Sequence, residues 1–126
     1  MQQALDALIL EDEIISRSLI DLSIKHEFPA GKYAFVDTSQ EFSAYLAGGG
    51  RAEMYFLDDW VPDTRGVVNP SFQKHHEQLL AAHPKARVFY HGTFASKEQE
   101  KYLSLHAIEC VERSQIPRVM RELLTH

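Results

Sequence analysis

The sequence predicts an α/β fold: a three-layer sandwich in which a five-stranded parallel sheet of order 2-1-3-4-5 carries helices on both faces. Three observations predict it. Strand-like and helix-like stretches alternate from end to end, the pattern of parallel strands joined by helical crossovers. Two apolar runs, Ala7-Leu8-Ile9-Leu10 and Met54-Tyr55-Phe56-Leu57, close in acids, Glu11-Asp12-Glu13 and Asp58-Asp59. Open α/β sheets bind ligands outside the carboxyl ends of their strands, so these acids fall where a crevice is expected. The length, 126 residues, fits one domain (1–126) with a single core of ordinary size.

Residues 6–11 read as the first strand and 14–27 as a helix whose Ile15, Leu19 and Leu22 stand at i, i+4 and i+7. Pro29-Ala30-Gly31 ends that helix. Residues 32–37 form the second strand, and Thr38 with Glu41 has the spacing of a capping box for a short helix carrying Phe42, Tyr45 and Leu46. Gly48-Gly49-Gly50 stops it, because each glycine costs about 1 kcal/mol relative to alanine inside a helix. The third strand, 52–58, delivers Asp58.

Beyond it, Asn69-Pro70 reads as an N-cap with proline at the first helical position, preceded by an extended loop and followed by a helix to Ala82. Residues 87–91 are the fourth strand, Ser96 and Gln99 a second capping-box pair, and 106–111 the fifth strand. Ser114 then caps a last helix in which Ile116, Val119, Met120, Leu123 and Leu124 form one apolar stripe.

Composition narrows the function. With 44% hydrophobic and 25% charged residues the chain is globular, and no apolar stretch approaches the roughly 20 residues of a membrane span. The N-terminal residues have neither a basic lead-in nor a long apolar core, so a cytoplasmic setting is expected. A net charge of −5 argues against direct contact with nucleic acid backbones. The lone Cys110 cannot form an internal disulfide and is expected to be a buried structural thiol.

Asp58 is followed by Pro62 four residues later and by Gly66 after four more. With the earlier Glu11-Asp12 pair, this order and spacing resembles the response-regulator receiver domain of two-component systems, over nearly the whole chain. The resemblance implies a flavodoxin-like sheet. It also implies a phosphoacceptor role for Asp58, with a histidine kinase or phosphotransfer protein as donor and a downstream effector as the partner of the output. It implies Mg²⁺ held by Glu11, Asp12, Asp58 and the Trp60 backbone carbonyl, and a signalling module rather than an enzyme. A carboxylate serves as nucleophile when a cation neutralises the incoming phosphoryl oxygens and the geometry is in line. Asp59 is expected to face solvent or support its loop.

The chain departs from the family at two places. The family has Thr or Ser at the end of the fourth strand; here the stretch is His91-Gly92-Thr93, and Thr93 fills the place in one register, Gly92 in the other. The family has Lys at the end of the fifth strand; here it is Glu112, or Arg113 after a one-residue shift that changes the face presented. Arginine grips phosphate as a fork and lysine as a point charge, so that substitution is not equivalent. These departures keep open a pseudo-receiver, a phosphorylation-independent interaction module. A Mg²⁺-dependent phosphohydrolase would want a second aspartate where Trp60 stands.

Of the seven histidines, His75 and His76 are adjacent on one helix, about 100° apart, and read as solvated rather than as a metal pair. His91 ends a strand beside the acids and is expected to be a satisfied, half-buried histidine; the alternative is a hydrogen bond to a phosphoryl group when protonated. Arg113, Arg118 and Arg121 place a basic stretch on or near the last helix and read as solvated arginines, and a homodimer through that helix is compatible with the sequence.

Overall fold

The computed structural model describes residues 4–62, 68–92 and 97–124. In chain order the elements are β1 (Leu5–Leu10), α1 (Ile14–Glu27), β2 (Tyr33–Val36), α2 (Ser39–Ala47), β3 (Ala52–Leu57), β4 (Trp60–Pro62), β5 (Val68–Pro70), α3 (Phe72–Ala82), β6 (Arg87–Tyr90), α4 (Lys97–Leu105), β7 (Glu109–Cys110), a 3₁₀ turn (Arg113–Gln115) and α5 (Ile116–Leu124). Five strands form one parallel sheet in the order β2-β1-β3-β6-β7. Counting those five alone, this is the 2-1-3-4-5 order expected from the sequence.

Strand alternation sorts the core into two layers, since successive side chains point to opposite faces. Leu8 and Leu10 of β1, with Tyr55 and Leu57 of β3, pack against Phe42, Phe72, Leu79 and Leu103 of α2, α3 and α4. Ala7, Ile9, Met54 and Phe56 pack against Ile20 and Ile24 of α1 and Ile116 and Met120 of α5. Burial on both faces is why β1 and β3 are written as continuous apolar runs. The helices end as the sequence suggests: Thr38 Oγ1 accepts from Glu41 N at 3.1 Å at the start of α2, and beyond its end Gly49 turns at φ 84.

Five expectations are corrected. The stripe Ile15, Leu19 and Leu22 faces outward, and α1 instead buries Ser16, Ile20 and Ile24. Both stripes have helical spacing, so periodicity alone could not choose the inner one; packing of Ile20 and Ile24 on the sheet selects it. Asn69-Pro70 does not open α3. It lies in β5, which pairs antiparallel with β4 (Trp60↔Pro70, Val61↔Asn69, Pro62↔Val68), and part of the expected loop is this hairpin. Proline is tolerated on such an unshared edge.

Ser114 does not cap the last helix; it lies inside the 3₁₀ turn, which Glu112 and Gln115 close as a capping box. His75 and His76 are buried, not solvated, because α3 lays Phe72, His75, His76 and Leu79 (i, i+3, i+4, i+7) on the sheet. Cys110 is likewise exposed, since β7 is a two-residue edge strand with both residues uncovered. Gly66, Thr93 and Ser96 lie outside the described residues.

Candidate functional site

Backbone pairing carries four side chains to one end of the sheet. Glu11 follows β1 and its amide donates to Val36 O at 3.0 Å, so the β1–β2 ladder runs on to the acid. Asp58 follows β3. His91 follows β6, with its amide donating to Leu57 O at 3.1 Å beside Asp58. Val111 N donates to Tyr90 O at 2.8 Å, which holds β7 in place and starts the 3₁₀ turn that presents Arg113.

Glu11 is buried completely and is held at both oxygens. Its Oε2 accepts from Glu13 N at 3.1 Å, and its Oε1 accepts from Arg113 Nε at 2.7 Å. Arg113 also reaches Asp58, with Nη2 3.6 Å from Oδ2. Burial works against the guanidinium charge, but the Glu11 bond and the charges of Glu11 and Asp58 outweigh it and raise the Arg113 pKa. A permanently charged arginine therefore sits between two buried carboxylates.

Asp58 is 5% exposed, and its Oδ1 accepts from Asp59 N at 2.7 Å. Burial, then the Glu11 charge, push its carboxyl up to about 7, against the pull of the Asp59 amide and Arg113. Asp12, half-buried, is raised first by burial, with smaller contributions from Glu11 and Glu13. It borders the crevice rather than joining its buried centre.

His91 is enclosed by the sheet end. Its Nε2 lies 2.8 Å from Leu10 O, a bond in which only the ring N–H can donate, and its Nδ1 lies 3.8 Å from Glu11 Oε1. Burial, the largest effect, lowers its pKa. One ligand atom each from Glu11, Asp58 and His91 lies within 4.8 Å of the other two.

The expected residues thus divide. Glu11, Asp58 and Arg113 come together. Arg113 takes up the one-residue shift weighed for the fifth strand, while Glu112 is exposed and occupied with its turn. At the fourth strand His91 is the residue beside Asp58, and Gly92 leaves room for the Tyr90 ring. His91, expected as a half-buried histidine beside the acids, is fully buried; its place directly after the buried Phe89-Tyr90 pair is the signal for that. Asp59 is buried and supports its loop: its Oδ1 accepts from Phe72 N at 3.1 Å and its carbonyl from Ser71 N at 2.7 Å.

No protein-family model and no curated protein sequence matches the chain. Solved structures do. The phosphorylated cyanobacterial phytochrome response regulator RcpA is similar at TM-score 0.71 and 14% identity, over 96% of this chain and 91% of that one. A CheY-like response regulator receiver domain protein from Methanospirillum hungatei JF-1 is similar at TM-score 0.67 and 15% identity, over 99% and 95%. The N-terminal domain of an uncharacterized protein from Wolinella succinogenes is similar at TM-score 0.69 and 14% identity, over 94% and 92%. The chain has the flavodoxin-like fold of receiver domains.

Proposed function

We propose that the chain is a phosphoacceptor receiver module of two-component signalling, phosphorylated on Asp58 by a histidine kinase or phosphotransfer protein in a cytoplasmic setting. The observation that carries it is the meeting of Asp58, Glu11 and Arg113 at the carboxyl ends of β3, β1 and the segment after β7. An Asp58 oxygen attacks phosphorus, the bond from phosphorus to the donor's imidazole nitrogen breaks, and the electron pair leaves on that nitrogen, which a proton then quenches. Arg113 faces the developing charge as the cation that the family places on a lysine.

The carboxylates of Glu11 and Asp58 fit Mg²⁺, a hard ion that is held by one or two carboxylates together with waters and phosphate oxygens. Asp12 at the rim and the Trp60 carbonyl would complete the set that the resemblance implies. Once bound, the ion would neutralise phosphoryl oxygens. Output is a population shift, as Arg113 exchanges its carboxylate partners for the phosphoryl group and pulls on the turn before α5. In this reading the module does not turn over a small substrate.

The exposed face of α1 supports a protein donor. Ile14 and Ile15 directly follow the acidic cluster, are 76% and 69% exposed, and continue into Leu19 and Leu22. Surface this apolar beside a reactive group fits an apolar helical partner better than solvent.

A specific observation favours the second reading as well. Arg113 already engages both carboxylates, and its bond to Glu11 is short, as a phosphorylation-independent interaction module would have it. Acetyl phosphate with Mg²⁺ separates the two. The receiver reading expects a hydroxylamine-labile phosphoryl group on wild type and none on Asp58→Asn, with amide shifts under beryllofluoride spreading from Asp58 to Arg113 and α5. No incorporation and no saturable shift would leave the interaction module.

A further inference from the structure

The geometry points to a nitrogen-containing metal site: Glu11, Asp58 and the Nδ1 of His91 together take a first-row transition cation such as Mn²⁺, Co²⁺ or Zn²⁺, which competes with Arg113 for the two carboxylates. This does not rest on phosphoryl transfer, although it uses two of the same residues.

The His91 ring shows it. Its side chain is wholly buried, and Nε2 bonds Leu10 O at 2.8 Å. A carbonyl only accepts, so the proton of the neutral ring is on Nε2 and Nδ1 carries a lone pair. Among the described residues that nitrogen has no hydrogen-bond partner, and it faces Glu11 Oε1 at 3.8 Å. Two electron-rich atoms facing one another in a buried site, with no proton between them, repel unless a cation lies between. An unmet buried polar atom is costly, and a metal meets this one.

The surroundings fit. Metal-ligating histidines almost always donate their other N–H to a carbonyl or carboxylate, which fixes ring and tautomer, as Leu10 O does here. Ligand atoms of one small divalent ion lie about 3–3.5 Å apart at bond lengths near 2.1 Å. The group formed by Glu11, Asp58 and His91, within 4.8 Å, is open by at most about 1.3–1.8 Å relative to that. Imidazole suits transition ions, while Mg²⁺ prefers an all-oxygen set. His91 thus biases the crevice away from Mg²⁺.

Arg113 is the resident counter-charge. Its Nε and Nη2 lie 2.7 and 3.6 Å from the carboxylate oxygens that the ion would take, and its side chain is 30% exposed, so it can swing toward solvent. Without it, two carboxylates face a dication with balanced charge; with it, the site carries one positive charge too many.

The test is calorimetric titration of the whole chain with Co²⁺ and with Mg²⁺, without phosphodonor, and proton NMR of the Co²⁺-loaded protein. We expect an exchangeable imidazole N–H resonance shifted far outside the diamagnetic range in wild type. His91→Gln should lose it and lower the ratio of Co²⁺ to Mg²⁺ affinity by about tenfold or more. Arg113→Gln should tighten Co²⁺ by about tenfold. An unchanged ratio in His91→Gln, or Co²⁺ bound in wild type without the imidazole signal, overturns the proposal, and the wild-type spectrum decides even where a variant fails to fold. Acetyl phosphate labelling of Asp58 with Mg²⁺ is scored separately, so either reading can fail alone.

Discussion

Arg113 Nε lies 2.7 Å from Glu11 Oε1, an ion pair between residues 102 apart that ties the turn after β7 to the end of β1. Glu11 is buried, so removing its cation leaves a carboxylate with neither water nor charge to balance it. Breaking such a pair costs about 3–5 kcal/mol when both partners are buried, and a 30% exposed arginine brings the expectation down to about 2 kcal/mol or more. Arg113→Ala should lower the urea midpoint accordingly, and Arg113→Lys should recover part of the loss. Because Arg113 also pulls the Asp58 pKa down, the Asp58 carboxyl should titrate higher in Arg113→Ala, read from its carboxyl carbon shift. An unmoved urea midpoint would mean Glu11 is stabilised by something other than this pair.

The sheet was legible in the sequence because its logic is local. β1 and β3 are apolar runs closed by acids, and burial on both faces leaves no other way to write them. What failed depended on contacts between distant residues. α1 offers two apolar stripes, Ile15-Leu19-Leu22 and Ile20-Ile24, and only packing on the sheet selects the second. His75 and His76 share a helix stripe with Phe72 and Leu79, but imidazole was counted as polar. At the site, Asp58 and Glu11 were legible from strand ends. The choice between Glu112 and Arg113, and the place of His91, depended on where β6 and β7 stop, and strand ends are the least sequence-determined part of a sheet.

His75 predicts the acid limb of stability. It is wholly buried, its Nε2 lies 2.9 Å from Ser39 Oγ, and its ring packs edge-on to Phe42. Burial, then the Lys74 charge, lower its pKa from 6.5 to about 4. Between those values the unfolded chain binds a proton that the folded chain refuses. Stability is therefore fully present above about pH 6.5 and is lost as pH falls toward 4. The full effect is worth up to about 3 kcal/mol. His75→Gln should flatten this limb in urea titrations between pH 4 and 6.5, whatever its effect at neutral pH. An unchanged slope would assign the acid loss to other groups.

Asp59 predicts a structural loss without loss of the acceptor. Ser71, at the N-cap of α3, makes no side-chain cap bond, and the Phe72 amide is met instead by Asp59 Oδ1 at 3.1 Å, from twelve or more residues upstream. The helix start is thus capped from the loop that carries Asp58. Asp59→Ala leaves a buried amide unmet and should cost about 1–2 kcal/mol, while Asp59→Asn keeps the acceptor and should cost less. Hydrogen exchange at Phe72 gives the local reading: faster exchange is expected in Asp59→Ala and near-native exchange in Asp59→Asn.

The outer face of α1 separates folding from recognition within a single helix. Leu19 is 60% exposed and Ile20 is 1% exposed, so neighbouring apolar residues answer to different partners. Ile20→Ala should destabilise by about 2–5 kcal/mol, as truncations in a packed core do. Leu19→Lys should change stability by no more than about 0.5 kcal/mol, because its side chain is mostly in solvent. If α1 docks the protein phosphodonor, Leu19→Lys should slow transfer from a phosphorylated histidine protein by about tenfold and leave labelling by acetyl phosphate unchanged, since a small donor needs no docking surface. Equal slowing with both donors would place the effect in the acidic crevice itself. No slowing with either would leave this apolar face to a partner unconnected with phosphoryl supply.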